Sequence, residues 1–195
     1  MLDINAVYNK FIEDIRAGVG SYLSTSGTGA NERPSVQRQR ADTVKANYPY
    51  ITIDIASIGD ESGWRNLEDV DDNDFPYVET VKELLIVLRC YGPSEGSNNI
   101  NALFIMNTLN GFFKLSRIRD GIRTDLGGSI VSLSVPRSIP MQLSDRFLET
   151  AEFSIIYNQV DRTTDTVPAI IDTVDIEPTI DDTAIENIVI TQEEY

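Results

Sequence analysis

The 195-residue chain contains no histidine and a single cysteine, and these two absences remove much of the usual catalytic and metal-binding chemistry. Without histidine there is no imidazole base, no Ser–His nucleophile and no imidazole metal ligand. One cysteine cannot form an internal disulfide or build a zinc or iron–sulfur site. Cys90 also lies in a dense apolar run, which favours a small buried side chain. We therefore expect no enzyme activity, no cofactor and no metal site.

Basic residues are scarce as well, since 16 Lys and Arg stand against 31 Asp and Glu, for a net charge of −15. Tight binding of a phosphate backbone needs clustered Lys and Arg, so the charge argues against a protein that grips nucleic acid. An acidic surface still allows DNA to pass nearby, because it repels phosphate and does not hold it.

Long hydrophobic runs are missing too, since no stretch approaches the ~20 apolar residues of a membrane-spanning helix. The first five residues have neither the basic region nor the apolar stretch of a secretory signal. We expect a soluble chain made in the cytoplasm, with no membrane partner.

What the chain does contain is one dense apolar stretch, residues 81–91, which predicts a β-strand. Its side chains alternate between two faces, with Leu84, Ile86, Leu88 and Cys90 on one and Leu85, Val87 and Tyr91 on the other. A strand that is apolar on both faces is usually central in its sheet, or has one face covered by a partner.

A helix is predicted next, over residues 98–115, with Ser97 or Asn98 as its N-cap. Gly92-Pro93 separates it from the strand, because proline cannot donate to a β-ladder. Its apolar stripe is Ala102, Ile105, Met106, Leu109 and Phe113, widened by Ile100, Leu103 and Phe104. So little of its circumference is left to water that the helix must pack against a sheet or a neighbouring helix.

The remaining patterns complete a domain over residues 1–162. An amphipathic helix is predicted over residues 4–23, and strands are predicted over 48–55, 130–135 and 146–157. The order α-β-β-α-β-β predicts an α+β fold, in which a mostly antiparallel β-sheet packs against two main helices.

Residues 59–77 form an acidic stretch that nevertheless carries large apolar side chains: Trp64, Leu67, Val70 and Phe75. Large aromatic residues in an acidic loop are typical of anchors. We interpret the stretch as an extended hairpin arm that docks on a neighbouring subunit. The alternative is an arm that folds back on its own domain.

Residues 163–195 form an acidic, β-prone C-terminal extension with nine Asp and Glu and no Lys or Arg. A fully disordered acidic tail would contain less Ile and Val. Residues 169–177 are a candidate edge strand for the core. Residues 185–191 resemble a strand that awaits a sheet edge on a neighbour, through Ile185, Ile188 and Ile190.

Two short segments run against the acidic balance. The first, with Arg33, Arg38 and Arg40, is interpreted as a solvated loop or as a contact loop for an acidic partner. The second, with Arg117, Arg119 and Arg123, lies near the end of the second predicted helix. It either complements the helix dipole or forms a small patch facing DNA or a partner.

Taken together, these patterns resemble the tail-terminator or neck-terminator proteins of tailed bacteriophages, in particular the contractile-tailed type. The resemblance rests on residues 48–52, on the strand 84–91 with the helix 98–115, on Gly121-Ile122 and on residues 146–157. It covers residues 4–177.

The resemblance implies a structural protein of the virion that forms a ring, usually hexameric. Such a ring caps the tail tube, stops its polymerisation and joins the tail to the head connector, while the genomic DNA passes through without specific binding. The implied partners are other copies of the chain, the tube and sheath proteins and a connector or neck protein, with assembly in the host cytoplasm.

Two alternatives remain open. The nearer is another neck, connector, head-completion or baseplate protein, which mapping in purified particles would distinguish. The farther is a ligand-binding or enzyme domain that uses carboxylates, which would show as a ligand-dependent rise in melting temperature.

Overall fold

The computed structural model describes residues 2–27, 30, 32–39, 47–60, 67–70, 76–92, 101–139, 141–143, 146–164, 174–176, 179–180, 183–184 and 188–190. The helices are α1 (Ile4–Val19), α2 (Ala102–Phe113) and α3 (Ser116–Leu126), with a short 3-10 turn at Gly20–Tyr22. The strands are β1 (Thr25–Ser26), β2 (Arg33–Pro34), β3 (Val36–Arg38), β4 (Tyr50–Asp60), β5 (Leu67–Val70), β6 (Pro76–Tyr91), β7 (Gly128–Leu133), β8 (Arg137–Ser138), β9 (Met141–Leu143), β10 (Arg146–Leu148), β11 (Thr150–Thr164), β12 (Val174–Ile176), β13 (Thr179–Ile180), β14 (Thr183–Ala184) and β15 (Ile188–Ile190).

The chain divides into two compact units. The first comprises Met1–Asn66 and Glu79–Arg162, and the second comprises Leu67–Val78 and Thr163–Tyr195. In the second unit the described strands form two small antiparallel pairs, β12 with β15 and β13 with β14. β5 pairs with β6, whose residues 76–78 fall in this unit.

The first unit is built on a mixed sheet in the strand order β3-β4-β6-β11-β7, with β8 also paired to β11. β4 runs antiparallel to β6 from Tyr50↔Tyr91 to Asp60↔Lys82, and β11 runs antiparallel to β7. Only β3 and β4 pair in parallel among the strand pairs whose register is described. The predicted α+β fold with a mostly antiparallel sheet is confirmed.

The apolar strand β6 lies in the middle of this sheet, as its two-sided pattern predicts. Its inner face is fully buried, and it consists of Leu84, Ile86, Leu88 and Cys90. Helix side chains close the core over it: the Phe11 ring of α1 lies 5.7 Å from Phe113 of α2 and 5.8 Å from Tyr157 of β11. Aromatic pairs at such distances add to the stability that comes from apolar burial.

The predicted helix over residues 98–115 is wrong at both ends. α2 begins at Ala102, and the Asn101 side chain caps it by accepting a 2.7 Å hydrogen bond from the backbone N–H of Phe104. The predicted caps Ser97 and Asn98 lie outside the described residues, four or more positions before the helix start. After α2, the extended backbone of Leu115 (φ −67°, ψ 131°) breaks the helical path, and a third helix, α3, begins at Ser116.

Two further predictions need correction. The stripe of α2 is narrower than predicted, because Phe104 is 43% exposed and packs edge-on against Tyr22. The predicted strand over residues 146–157 is divided into β10 and β11. The break falls at Glu149, whose carbonyl accepts a 2.8 Å hydrogen bond from the backbone N–H of Gly92.

The close approach of β7 to β11 predicts that Gly128 cannot be replaced without loss of stability, and Gly111 in α2 provides a comparison. A methyl group on Gly128 would overlap the buried Tyr157 ring and lie 2.6 Å from the Asn158 carbonyl, whereas one on Gly111, in α2, would meet nothing within 4 Å. We expect Gly128→Ala to lower the free energy of unfolding by about 1–3 kcal/mol through overpacking. Gly111→Ala should raise it by about 0.5–1 kcal/mol, because alanine loses less entropy in a helix.

Urea titration followed by far-UV circular dichroism measures both glycine variants. Equal stability of Gly128→Ala and the parent chain would contradict the close approach of β7 to Tyr157.

Candidate interaction surfaces

The face of the sheet opposite the helices, here called the outer face, is half-buried rather than covered. On β6 it presents Leu85, Val87, Arg89 and Tyr91, and each of these side chains keeps part of its surface in solvent. This differs from the fully buried inner face of the same strand. An apolar and aromatic surface in such a setting is typical of contact with another protein.

Three tyrosines stack at one end of the outer face and form what we call the tyrosine ladder. The ring centroids of Tyr48 and Tyr50 are 5.5 Å apart, and those of Tyr50 and Tyr91 are 4.8 Å apart. The last pair follows from the register, in which Tyr50 lies directly opposite Tyr91. Burial, helped by the neighbouring phenols, raises the pKa of Tyr50 to about 12, so the Tyr50 phenol is uncharged at neutral pH.

An ion cluster lies on β6, β8 and β11 of the same sheet. Glu152 accepts from Arg89 Nη2 at 2.7 Å on one carboxylate oxygen and from Arg137 Nη2 at 2.8 Å on the other. Burial alone would raise the pKa of Glu152, but the hydrogen bonds from Arg137 and Arg89 outweigh it and hold the pKa below its usual value. A carboxylate that is ionised at neutral pH and shared by two arginines fixes strands together and is unsuited to proton transfer.

This cluster was not predicted from the sequence, although a signal was present. Arg89 and Glu152 each occupy a non-core position on a strand whose other side is apolar. Opposite charges at such positions are expected to pair when the two strands are neighbours. The missing information was the strand order, because 62 residues separate Arg89 from Glu152 in the chain and pattern alone does not make β6 and β11 adjacent.

The two described arginines of the first basic segment, Arg33 and Arg38, have different surroundings. The Arg38 guanidinium donates to Asn5 Oδ1 at 2.9 Å and to Asn9 Oδ1 at 3.2 Å, and it lies 4.4 Å from the centre of the Tyr8 ring. Arg38 therefore ties β3 to α1 and is engaged within its own chain. Arg33 is exposed on β2, and Arg40 lies outside the described residues.

The second basic segment lies on α3, a helix that the sequence analysis did not predict. Arg117 and Arg119 lie near its N-terminus, so the predicted dipole role at a helix C-terminus is wrong for both. Arg123 does lie in the last turn. Arg119 Nη2 donates to the Ile130 carbonyl of β7 at 3.1 Å, whereas Arg117 and Arg123 are exposed and have no ion pair among the described residues.

The predicted apolar anchors lie on β5, on β15 or outside the described residues. Leu67 and Val70 are the first and last residues of β5. Ile188 and Ile190 belong to β15 and lie opposite Ile176 and Val174 of β12. Trp64, Phe75 and Ile185 lie outside the described residues. Their roles as anchors stay predictions.

The described residues form neither a candidate metal site nor a candidate membrane-spanning helix. Those residues contain no cluster of three or more Cys, Asp and Glu side chains placed to hold a metal ion. None of the three described helices combines the length and the apolar character that crossing a membrane requires. Burial raises the pKa of Cys90 to about 12, so its thiol stays protonated and unreactive.

The ion cluster predicts a pH dependence. Because the folded pKa of Glu152 lies below its unfolded value, its ionisation stabilises the fold above the unfolded pKa of about 4.3 and this contribution disappears as pH falls through the folded pKa. Glu152→Gln should therefore be less stable than the parent chain by about 1–3 kcal/mol at pH 7. The difference should shrink steadily below about pH 4.3.

Chemical denaturation at a series of pH values checks the Glu152 prediction. Glu13→Gln, at an exposed position of α1, serves as the control and should change stability by less than about 0.5 kcal/mol throughout. A gap for Glu152→Gln that stays constant down to pH 2 would refute the proposed linkage.

The contacts of Arg38 predict a structural role that an exposed patch residue would not have. Arg38→Ala should lower the free energy of unfolding by about 1–2 kcal/mol, because it removes two hydrogen bonds and a cation–π contact. Arg33→Ala, at an exposed arginine, should change it by less than about 0.5 kcal/mol. Urea unfolding distinguishes the two variants. If Arg38→Ala and Arg33→Ala have equal effects on the free energy of unfolding, Arg38 has no structural role.

A family model described as phage neck terminator protein matches residues 13–183. The matched range begins within α1, continues through the sheet of the first unit, and ends at the first residue of β14, so β15 lies beyond it. No curated protein matches the chain.

Proposed function

Since the chain belongs to the family of phage neck terminator proteins, we propose that it forms a closed ring of six copies at the top of the tail tube. Neck terminators are structural proteins, and their place is the tail and neck of the virion. Within that role, the proposed ring ends tube polymerisation and joins the tail to the head connector. Its partners are further copies of the chain, the tube and sheath proteins of a contractile tail and a connector protein.

The observation that carries the proposal is the extent of the family match. It includes the second half of α1, the helices α2 and α3, the sheet of the first unit, the acidic arm and residues 163–183 of the acidic extension. A ring of identical copies needs two different surfaces on each copy, one complementary to the other. The chain offers surfaces of unlike character, namely the outer face with its tyrosines and arginines, and the acidic segments.

The charge distribution supports a passage for DNA. Residues 163–195 contribute −9 of the net charge of −15, which leaves −6 for residues 1–162. A ring lined by such a surface repels phosphates, so a duplex moves through it without being held. Specific DNA binding is no part of the proposal.

The arm and the extension supply the intersubunit contacts in this proposal. Trp64, Leu67, Val70 and Phe75 anchor the arm on the adjacent subunit or on the tail tube. The segment with Ile185, Ile188 and Ile190 adds to a neighbouring sheet. Because β15 already pairs with β12, the addition uses the strand edge that faces away from β12.

The proposal is tested by measuring the mass of the protein in solution with light scattering, alone and mixed with the tube protein. We expect a species of about six times the 21.8 kDa monomer, either alone or once the tube protein is present. A monomer under both conditions overturns the ring and points to a peripheral neck or baseplate protein.

The arm makes a separate prediction in the same assay. Replacing both Trp64 and Phe75 with Ala should loosen the ring and leave the fold of the first unit intact, as judged by far-UV circular dichroism. Phe104→Ala is the matched control, because this exposed aromatic side chain packs against Tyr22 of its own chain. If the double variant keeps the full ring mass, the arm is not an intersubunit anchor.

A further inference from the structure

A basic surface stands out on this acidic protein, at the corner where α2 meets α3. It consists of four exposed cations, Lys114, Arg117, Arg119 and Arg123, and we call it the basic face of α3. Asp120 is the one acidic residue among positions 114–123, so the segment carries a net charge of +3. Leu115, which is 44% exposed, adds an apolar contact point beside the cations.

The basic face is held in place by its own domain. Ile122 is fully buried beneath it, and Lys10 of α1 contacts Asp125 of α3 at 2.7 Å. Arg119 is fixed on the β7 side by its bond to the Ile130 carbonyl. A helix that is packed and tethered on both sides needs no further ordering of its backbone when its outward cations bind, which lowers the entropic cost of binding.

The same chain contains a segment of complementary charge. Residues 163–195 have nine acidic and no basic residues, whereas residues 1–162 mix 22 acidic with 16 basic ones. The acidic segment also has local structure, since β12 and β15 form an antiparallel pair within the second unit. Acidic residues lie on both sides of β15, with Glu186 before it and Glu193 and Glu194 after it.

We propose that the basic face of α3 in one copy binds the acidic segment, residues 163–195, of the adjacent copy in the ring. This inference rests on the proposed function. A heterologous ring interface joins two different surfaces of one chain, and here the two surfaces carry opposite charge. Arg117 and Arg123 provide the direct contacts, because they are exposed and unpaired among the described residues.

DNA is the competing ligand for the basic face, and the charges favour the acidic segment. Phosphate contacts along a passage would retard a moving duplex, and the domain that carries the face is itself acidic. Contacts between opposite charges at a subunit interface instead steer encounter and set the register of the subunits. Exposed ion pairs are screened by salt, so we expect ring assembly to weaken as ionic strength rises.

The test uses charge reversal in the full-length chain. A helix variant carries Arg117→Glu and Arg123→Glu, and a segment variant carries Glu186→Lys, Glu193→Lys and Glu194→Lys. We expect each variant alone to need about tenfold or more higher protein concentration for half-assembly with the tube protein. Arg33→Glu, at an exposed arginine on β2, is the control and should assemble like the parent chain.

Two rescues identify the occupant and the copy that supplies it. A chain that carries both sets of reversals should recover assembly, because its helix is negative and its segment positive. An equal mixture of the helix and segment variants should also assemble, since each complements the other between copies. Recovery in the single chain without recovery in the mixture means contact within one copy, and it overturns the proposal.

The remaining outcomes are equally decisive. If the parent chain forms no ring, the proposed function itself is contradicted. If the parent chain forms a ring and the helix variant forms it equally well, only the binding of the basic face to the acidic segment is contradicted. Loss of assembly without rescue, together with weaker binding to a labelled DNA duplex, assigns the basic face to DNA. Should the helix variant fail to fold by circular dichroism, Arg117→Gln with Arg123→Gln replaces it. The replacement must then show a loss of assembly at low ionic strength, and its difference from the parent chain must shrink as salt rises.

Discussion

Burial of one face of β6 is the constraint on which the rest of the first unit depends. Four consecutive inward positions of this central strand are fully buried, and α1 and α2 supply the aromatic side chains that close the core. Each fully buried aliphatic side chain contributes about 1.5–3 kcal/mol relative to exposure. Because the helices occupy this side, the opposite side of the strand becomes the outer face. The packing of α1 and α2 on one face of β6 thus creates the core, and it leaves the opposite face available for partners.

The sequence predicted this arrangement wherever a periodic pattern was tied to burial. Alternation identified the inner face of β6, and the spacing of three and four identified the buried stripe of α2. The split between α2 and α3 was not predictable in that way, since it depends on the backbone of Leu115, an apolar residue that fits either helix. Helix ends are decided by local backbone geometry and caps rather than by hydrophobic period.

Functional residues were harder to predict than the core, for a physical reason. An arginine has the same letter whether it faces solvent or packs within its own fold, and the difference lies in contacts distant along the chain. Arg38 proved to be a tie between β3 and α1, whereas Arg117 and Arg123 remain on the surface. Membership in the family of phage neck terminator proteins then indicated that the chain works in an assembly, where exposed cations on an acidic chain are candidates for contacts between subunits.

The tyrosine ladder also gives the molecule an optical property. Its three rings are held 4.8–5.5 Å apart with small angles between the paired planes, at one end of the outer face. Stacked and immobile aromatic rings produce near-ultraviolet circular dichroism that disappears when fixed tertiary packing is lost. The ladder therefore contributes to the near-ultraviolet signal of the chain, in a position where a partner docked against the sheet would alter that contribution.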